Sequence, residues 1–110
     1  MQIDIQSRGF SLTDSLLSYA QNRLLFAMSY CSGHVKRVII RLSDVNGPRG
    51  GADKCCHIQV ALAGIPDVVV EDTEVNMYAA IDRACDRAKR TVVRKVDRHM
   101  TLYRKHEHIF

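Results

Sequence analysis

Residues 76–100, NMYAAIDRACDRAKRTVVRKVDRHM, contain neither Gly nor Pro and repeat with a helical period. On a helix, Met77, Ile81, Ala84, Cys85, Ala88, Val92 and Val96 fall on one side, at the spacing of a core-facing stripe. Arg83, Arg87, Arg90, Arg94 and Arg98, at intervals of four, three, four and four, form a second stripe about a third of a turn away. The sequence thus predicts a helix held to a core by one face and presenting guanidinium groups on the next. Like charges at this spacing repel by roughly 0.2–0.5 kcal/mol per pair, and Asp86 is placed to offset part of this through Arg90, four residues on. The plain reading is a solvated basic face. The uniform use of Arg, whose planar fork fits phosphate oxygens, favours a binding surface.

The rest of the composition agrees. The chain has 110 residues, enough for one modest core, with 46% hydrophobic residues and a net charge of +4. That balance suits a polyanion, either nucleic acid or an anionic membrane surface. No apolar run approaches the roughly 20 residues that span a bilayer. The start, MQIDIQSRGF, lacks the basic and apolar regions of a signal peptide, so the expected location is cytoplasmic. The four cysteines are then expected as thiols. Cys85 sits on the apolar stripe, and the adjacent Cys55 and Cys56 point to opposite faces of a strand. Cys31 and His34 form one C-x-x-H pair that Cys55 or His57 would have to complete. No second pair follows at zinc-site spacing, so no metal and no other cofactor is expected.

Upstream, Ile3 and Ile5 alternate with polar residues as a short strand that Gly9 breaks. Thr13 is a good N-cap, Leu12 can staple onto Leu17, and a helix is predicted over Asp14–Ser29, with Gly33 just past its end. Leu16, Leu17, Ala20, Leu24, Ala27 and Met28 make its buried face. Tyr19, Arg23, Phe26 and Tyr30 recur on one flank. The plain reading is aromatics that widen the core contact or cover the neighbouring helix; the functional one is a platform where Arg23 meets a phosphate and a ring stacks on a base. In the strand 35–43, Val38, Ile40 and Leu42 point inward, with Arg37, Ile39 and Arg41 outward. Residues 46–54, NGPRGGADK, read as a loop without the G-K-[ST] ending of a phosphate loop. Arg49 and Lys54 in it could reach a polyanion, the plainer reading being solvated charge. Residues 55–62 alternate again, with Cys56, Ile58, Val60 and Leu62 inward and Cys55, His57, Gln59 and Ala61 outward. A turn at Gly64, Pro66 and Asp67 leads into Val68–Val70, a strand ended by Glu71 and Asp72, so these two strands should form a hairpin. Asn76 caps the long helix, whose apolar face is extended through His99 and Tyr103. The expected fold is a single α+β domain over residues 1–103, of order β-α-β-β-β-α. It has a four-stranded mixed sheet with both helices on one face, and residues 104–110 form a frayed tail.

Asn76-Met77-Tyr78-Ala79-Ala80-Ile81-Asp82, followed by a basic helix, resembles the D-M-Y-x-A-I-(D/N) signature of the bacterial hibernation-promoting factor and ribosome-associated inhibitor (protein Y) family. The element order, the Ile3-x-Ile5 start and Leu12-Thr13 before the first helix agree, over about residues 1–100. The resemblance implies a fold similar to double-stranded-RNA-binding domains. It also implies binding to 16S rRNA of the small (30S) ribosomal subunit, near the decoding centre and the tRNA and mRNA channel, with translation silenced. By position it points to Arg83, Arg87, Arg90, Arg94 and Arg98, with Arg23 on the first helix, as RNA-binding residues. Other hibernation factors are implied as further partners, and neither a membrane nor a small-molecule substrate is. Phe26 and Ser29 stand near positions where that family often carries lysines, Asn76 replaces the Asp of the signature, and the Gly-rich loop is longer. With no acidic tail and no dimerisation domain, the pattern resembles a short form.

Two other functions compete. A general structured-RNA-binding module would use the same arginine stripe. An enzyme would have to use Asp82 and Asp86, one turn apart, but these lie among arginines, and no nucleophile, His and orienting acid assemble from the spacing.

Overall fold

The computed structural model describes residues 1–44 and 53–107, with side chains through Leu102. Strand β1 (Gln2–Arg8) leads into helix α1 (Asp14–Met28), which a 3-10 segment (Ser29–His34) continues. Strands β2 (Val35–Asp44), β3 (Lys54–Leu62) and β4 (Ile65–Glu74) follow, and helix α2 (Met77–Glu107) ends the described chain. The sheet order is β1-β2-β3-β4, with β1 parallel to β2 and the other pairs antiparallel. This is the mixed sheet expected of a helical crossover followed by a meander.

Register follows from alternation, because a slip of one residue would turn every apolar side chain to water. Ile3 and Ile5 pair with Val38 and Ile40, which pair with Val60 and Ile58, which in turn pair with Val68 and Val70. These rows meet Leu16, Ala20, Leu24 and Met28 of α1 and Ile81, Ala84, Cys85, Ala88, Val92 and Val96 of α2 in one core. Both helices therefore cover the same face. The α2 stripe is 0–4% exposed from Ala80 to Val96, so its orientation about its own axis is fixed.

Local signals act at the helix starts. Thr13 Oγ1 accepts from Leu16 N at 3.1 Å, and Asn76 Oδ1 accepts from Tyr78 N at 2.8 Å. Gly64, at φ 72°, closes the two-residue β3–β4 turn.

Several expectations are corrected. Gly33 is no helix terminator: α1 ends at Ser29 in right-handed conformation, and Gly33 lies inside the 3-10 segment without positive φ. Leu17 is only partly buried. Lys54 opens β3, where Asp53 at 2.8 Å and Asp44 at 3.2 Å hold its ammonium, so it is not a loop cation. Cys55 points to the open face but is buried, its thiol donating to Glu71 Oε1 at 3.0 Å. Strand β4 begins at Ile65, taking in Pro66, and runs past Glu71 and Asp72 to Glu74. His99 is exposed, and Met100 packs on the core instead. The backbone of α2 is helical to Glu107, beyond the boundary expected at 103. Arg49 and most of the Gly-rich loop lie outside the described residues, as does the side chain of Tyr103.

Candidate nucleic-acid interface

The two helices run in the same direction. Contacts advance along both: Tyr19 with Tyr78, Arg23 with Asp82 and Asp86, then Phe26 with Lys89. This pairing sorts the arginines into two groups.

Arg23 is turned inward. Its Nε donates to Asp82 Oδ1 at 2.8 Å and its Nη2 lies 3.3 Å from Asp86 Oδ1. Burial pulls the guanidinium pKa down, but the hydrogen bond and charge of Asp82 outweigh it and leave the group above its ordinary value. Tyr19 donates to the same carboxylate at 2.5 Å and stacks edge-on against Tyr78, with centroids 4.8 Å apart. Asp86 thus faces Arg23 across the interface, where the sequence suggested Arg90. Asp82 and Asp86, the acids of the enzyme reading, both face Arg23.

Arg83 and Arg87 lean on β4. Arg83 Nε is 2.8 Å from Glu74 Oε1, and Arg87 Nη1 is 3.5 Å from Asp72 Oδ2 and donates to the Glu71 carbonyl at 2.7 Å. These pairs are half-exposed or more on the arginine side, where such bridges contribute only about 0.2–1 kcal/mol.

Arg90, Arg94 and Arg98 are exposed, with no carboxylate partner among the described residues. Arg90 and Arg94 form a ridge between two grooves. Toward β4, Arg87, Arg90, Thr91 and Arg94 surround a hollow of about 220 Å³. Toward α1, Lys89, Arg90, Val93, Arg94 and Asp97 line one of about 470 Å³. Guanidinium forks and a hydroxyl around a shallow hollow suit phosphate oxygens.

Of the aromatics on this flank, Tyr19 packs on the core and on Tyr78 of the neighbouring helix, whereas Phe26 and Tyr30 are 67% and 71% exposed. Lys89 Nζ stands 5.7 Å from the Phe26 ring centroid. Stripe-counting passes over Lys89 because it falls one position off the arginine series. Only the pairing of α1 with α2 brings it to an aromatic ring.

On the open sheet face, Arg37 is paired with Asp4 and Arg41 Nε donates to Gln6 Oε1 at 3.2 Å. A concavity of about 480 Å³ there is lined by Arg8, Arg41, Cys55, His57 and Glu71, among others. Cys31 and His34 precede β2, whereas Cys55 pairs with Ser43 near its other end, roughly 25 Å away at 3.3 Å per residue. Among the described residues, no three His, Cys, Asp or Glu side chains come together in a group that would hold a metal ion.

No helix among the described residues is long and apolar enough to cross a membrane. Comparison with curated proteins gives no match. Among solved structures, the chain is similar to the N-terminal domain of Protein Y from Thermus thermophilus. The TM-score is 0.71 and the identity 30%, over 86% of this chain and 98% of that one. It also shares its fold with a ribosomal subunit interface protein from Coxiella burnetii, at TM-score 0.73 and 16% identity, over 86% and 96% of the two chains. Residues 3–100 match the family described as Sigma 54 modulation protein / S30EA ribosomal protein, and the chain belongs to that family.

Proposed function

We propose that this protein is a ribosome hibernation factor. It binds 16S rRNA of the small subunit near the decoding centre through the exposed basic side of α2, and so blocks the channel for tRNA and mRNA. The observation that carries this reading is the state of Arg90, Arg94 and Arg98: three exposed guanidiniums without carboxylate partners among the described residues, on a helix whose opposite side is locked in the core. Family membership supplies the ribosome as the target.

The physics required is modest. Folded RNA is read through phosphates, sugars and groove shape, and each neutralised phosphate releases counterions. A rigid helix presents its charges without an ordering cost at the moment of binding. Inhibition then follows from occupancy, and no bond is made or broken.

Co-sedimentation with purified small subunits tests the reading. Wild type should pellet with subunits, and free RNA of equal length should compete poorly. The R90E/R94E/R98E variant should remain folded, because the apolar stripe is untouched, and should stay in the supernatant. Equal competition by free RNA would indicate a general RNA-binding module. Undiminished pelleting of the folded triple variant would show the row to be a solvated face.

A further inference from the structure

We propose that Phe26, with Lys89 and the α1-facing groove of α2, is a seat for one unpaired RNA base. This rests on RNA being the partner, as argued above, and specifies which part of an RNA the surface takes.

Three observations meet here. First, α1 leaves the ring of Phe26 two-thirds exposed beside the basic ridge, while neighbouring Leu24 and Ala27 are buried. A base plane is the natural cover for an exposed aromatic face set among cations, and stacking is tolerant of sequence. Second, the cation beside the ring is Lys89, at 5.7 Å from the centroid. An exposed ammonium on a flexible stem can leave the ring for the phosphate of the nucleotide whose base replaces it. The sequence suggested Arg23 for that task, but Asp82 and Asp86 occupy it. Third, from Lys89 a groove runs along α2 over Val93, with Arg90 and Arg94 on its wall, where the phosphate of an adjoining nucleotide can lie.

The ring and its cations decide between occupants. An exposed aromatic face beside Lys89 and Arg90 is matched by a planar group that carries its own phosphate, which a lipid surface and an acidic peptide do not combine. Duplex RNA cannot use the seat, because its bases are already stacked. The occupant is therefore an unpaired nucleotide: base on Phe26, phosphate on Lys89 and Arg90.

Phe26→Trp tests this directly, because the chain contains no Trp and the new indole reports alone. Four probes are titrated into the protein: a short single-stranded oligoribonucleotide, a blunt RNA duplex with the same phosphate count, inorganic polyphosphate, and vesicles of phosphatidylglycerol. Stacking predicts fluorescence quenching by the single strand and little by the others. Phe26→Ala should weaken single-strand binding about tenfold, the stacking contribution of one base, and leave polyphosphate binding unchanged. Phe26→Trp should bind the single strand as well as wild type. Single-strand affinity that Phe26→Ala leaves unaltered would overturn the seat, as would equal quenching by polyphosphate or a response to vesicles alone. Those results leave ribosome binding by the arginine ridge intact. Failure of wild type to bind any RNA would remove both.

Discussion

Arg23 on α1 and Asp82 on α2, 59 residues apart in the chain, are joined at 2.8 Å, and Tyr19 donates to the same carboxylate oxygen. One acid therefore anchors two side chains of the neighbouring helix. This fixes the spacing of α1 and α2, and with it the position of Lys89 over the Phe26 ring. Arg23 holds the two helices together, its guanidinium paired with Asp82 and Asp86.

Replacing Arg23 by Ala should consequently lower stability more than it lowers ribosome binding. The pair is part-exposed, at 25% and 42% of the side chains, so its contribution is discounted to about 1 kcal/mol. Asp82→Ala should cost more, roughly 1–3 kcal/mol, because it leaves the Tyr19 hydroxyl without its acceptor and the Arg23 guanidinium with only the longer contact to Asp86. Urea unfolding of the two variants checks the order. An Arg23→Ala protein of wild-type stability that has lost most of its ribosome affinity would mean that Arg23 leaves Asp82 to bind RNA.

The thiols predict an alkaline loss of stability. Burial pushes Cys85 from its ordinary 9.0 up to about 12, and burial drives Cys56 upward as well. A group whose folded pKa is raised stabilises fully below its unfolded pKa and loses that contribution as pH rises toward the folded value. Stability should thus hold to about pH 9 and fall between 9 and 12. Tyr19, raised chiefly by its hydrogen bond to Asp82, adds to the fall above pH 10. Denaturant midpoints should decline over this range, less steeply in Cys56→Ala/Cys85→Ala and in Tyr19→Phe. Ellman's reagent at pH 8 should count four thiols in urea and react far more slowly with the native chain, in which all four are buried. Rapid native reaction of all four would contradict the buried placement.

The parts legible in the sequence are those that a period dictates. The α2 stripe, the inward rows of β2 and β3 and the caps at Thr13 and Asn76 are local patterns with one physical solution. The end of β4 was illegible for an instructive reason. Glu71 to Glu74 is polar throughout, which reads as a turn, yet Asp72 and Glu74 continue the inward row of Val68 and Val70. They stay in the strand because the ladder with β3 continues to Lys54, and Arg87 and Arg83 of α2 meet their carboxylates there. The diversion of Arg23, the cover over Cys55 and the approach of Lys89 to Phe26 are likewise contacts between elements far apart in sequence. The 3-10 continuation of α1 hid behind Gly33, a residue that signals a stop more often than it enforces one.

Gly9 is where a single methylene-sized change should be felt. It ends β1 at φ 84°, and a Cβ built there would stand 2.8 Å from the Asp44 carbonyl oxygen. Left-handed backbone costs a non-Gly residue about 1–2 kcal/mol, and backbone cannot move aside as a side chain can. Gly9→Ala should therefore destabilise by about 2 kcal/mol or more in urea unfolding. Gly33→Ala, with open space around the Cβ and no positive φ, is the matched control and should be near neutral. Equal effects at the two positions would refute the argument.

The arginine row should act in two tiers, and salt dependence separates them. Each phosphate neutralised contributes a slope of about −0.7 to −0.9 to the log–log plot of affinity against salt. Arg90→Ala, Arg94→Ala and Arg98→Ala each delete a cation without a carboxylate partner among the described residues. Each should flatten the slope by about that amount and weaken binding to small subunits. Arg87 and Arg83 call for a different design, because deleting either alone uncovers a carboxylate that would itself repel phosphate. The neutral pair deletions Arg87→Ala/Asp72→Asn and Arg83→Ala/Glu74→Gln keep the net charge and remove only the guanidinium's chance to reach RNA. If these two arginines stay on β4, as their contacts at 3.5 Å and 2.8 Å place them, the pair deletions leave the slope unchanged. Arg37→Ala, on the opposite face of the sheet and paired with Asp4, sets the baseline for loss of one remote charge. A pair deletion that flattens the slope as much as Arg90→Ala would show that the guanidinium leaves β4 for phosphate. The row would then act as one surface of five, with the acids of β4 serving only as its resting partners.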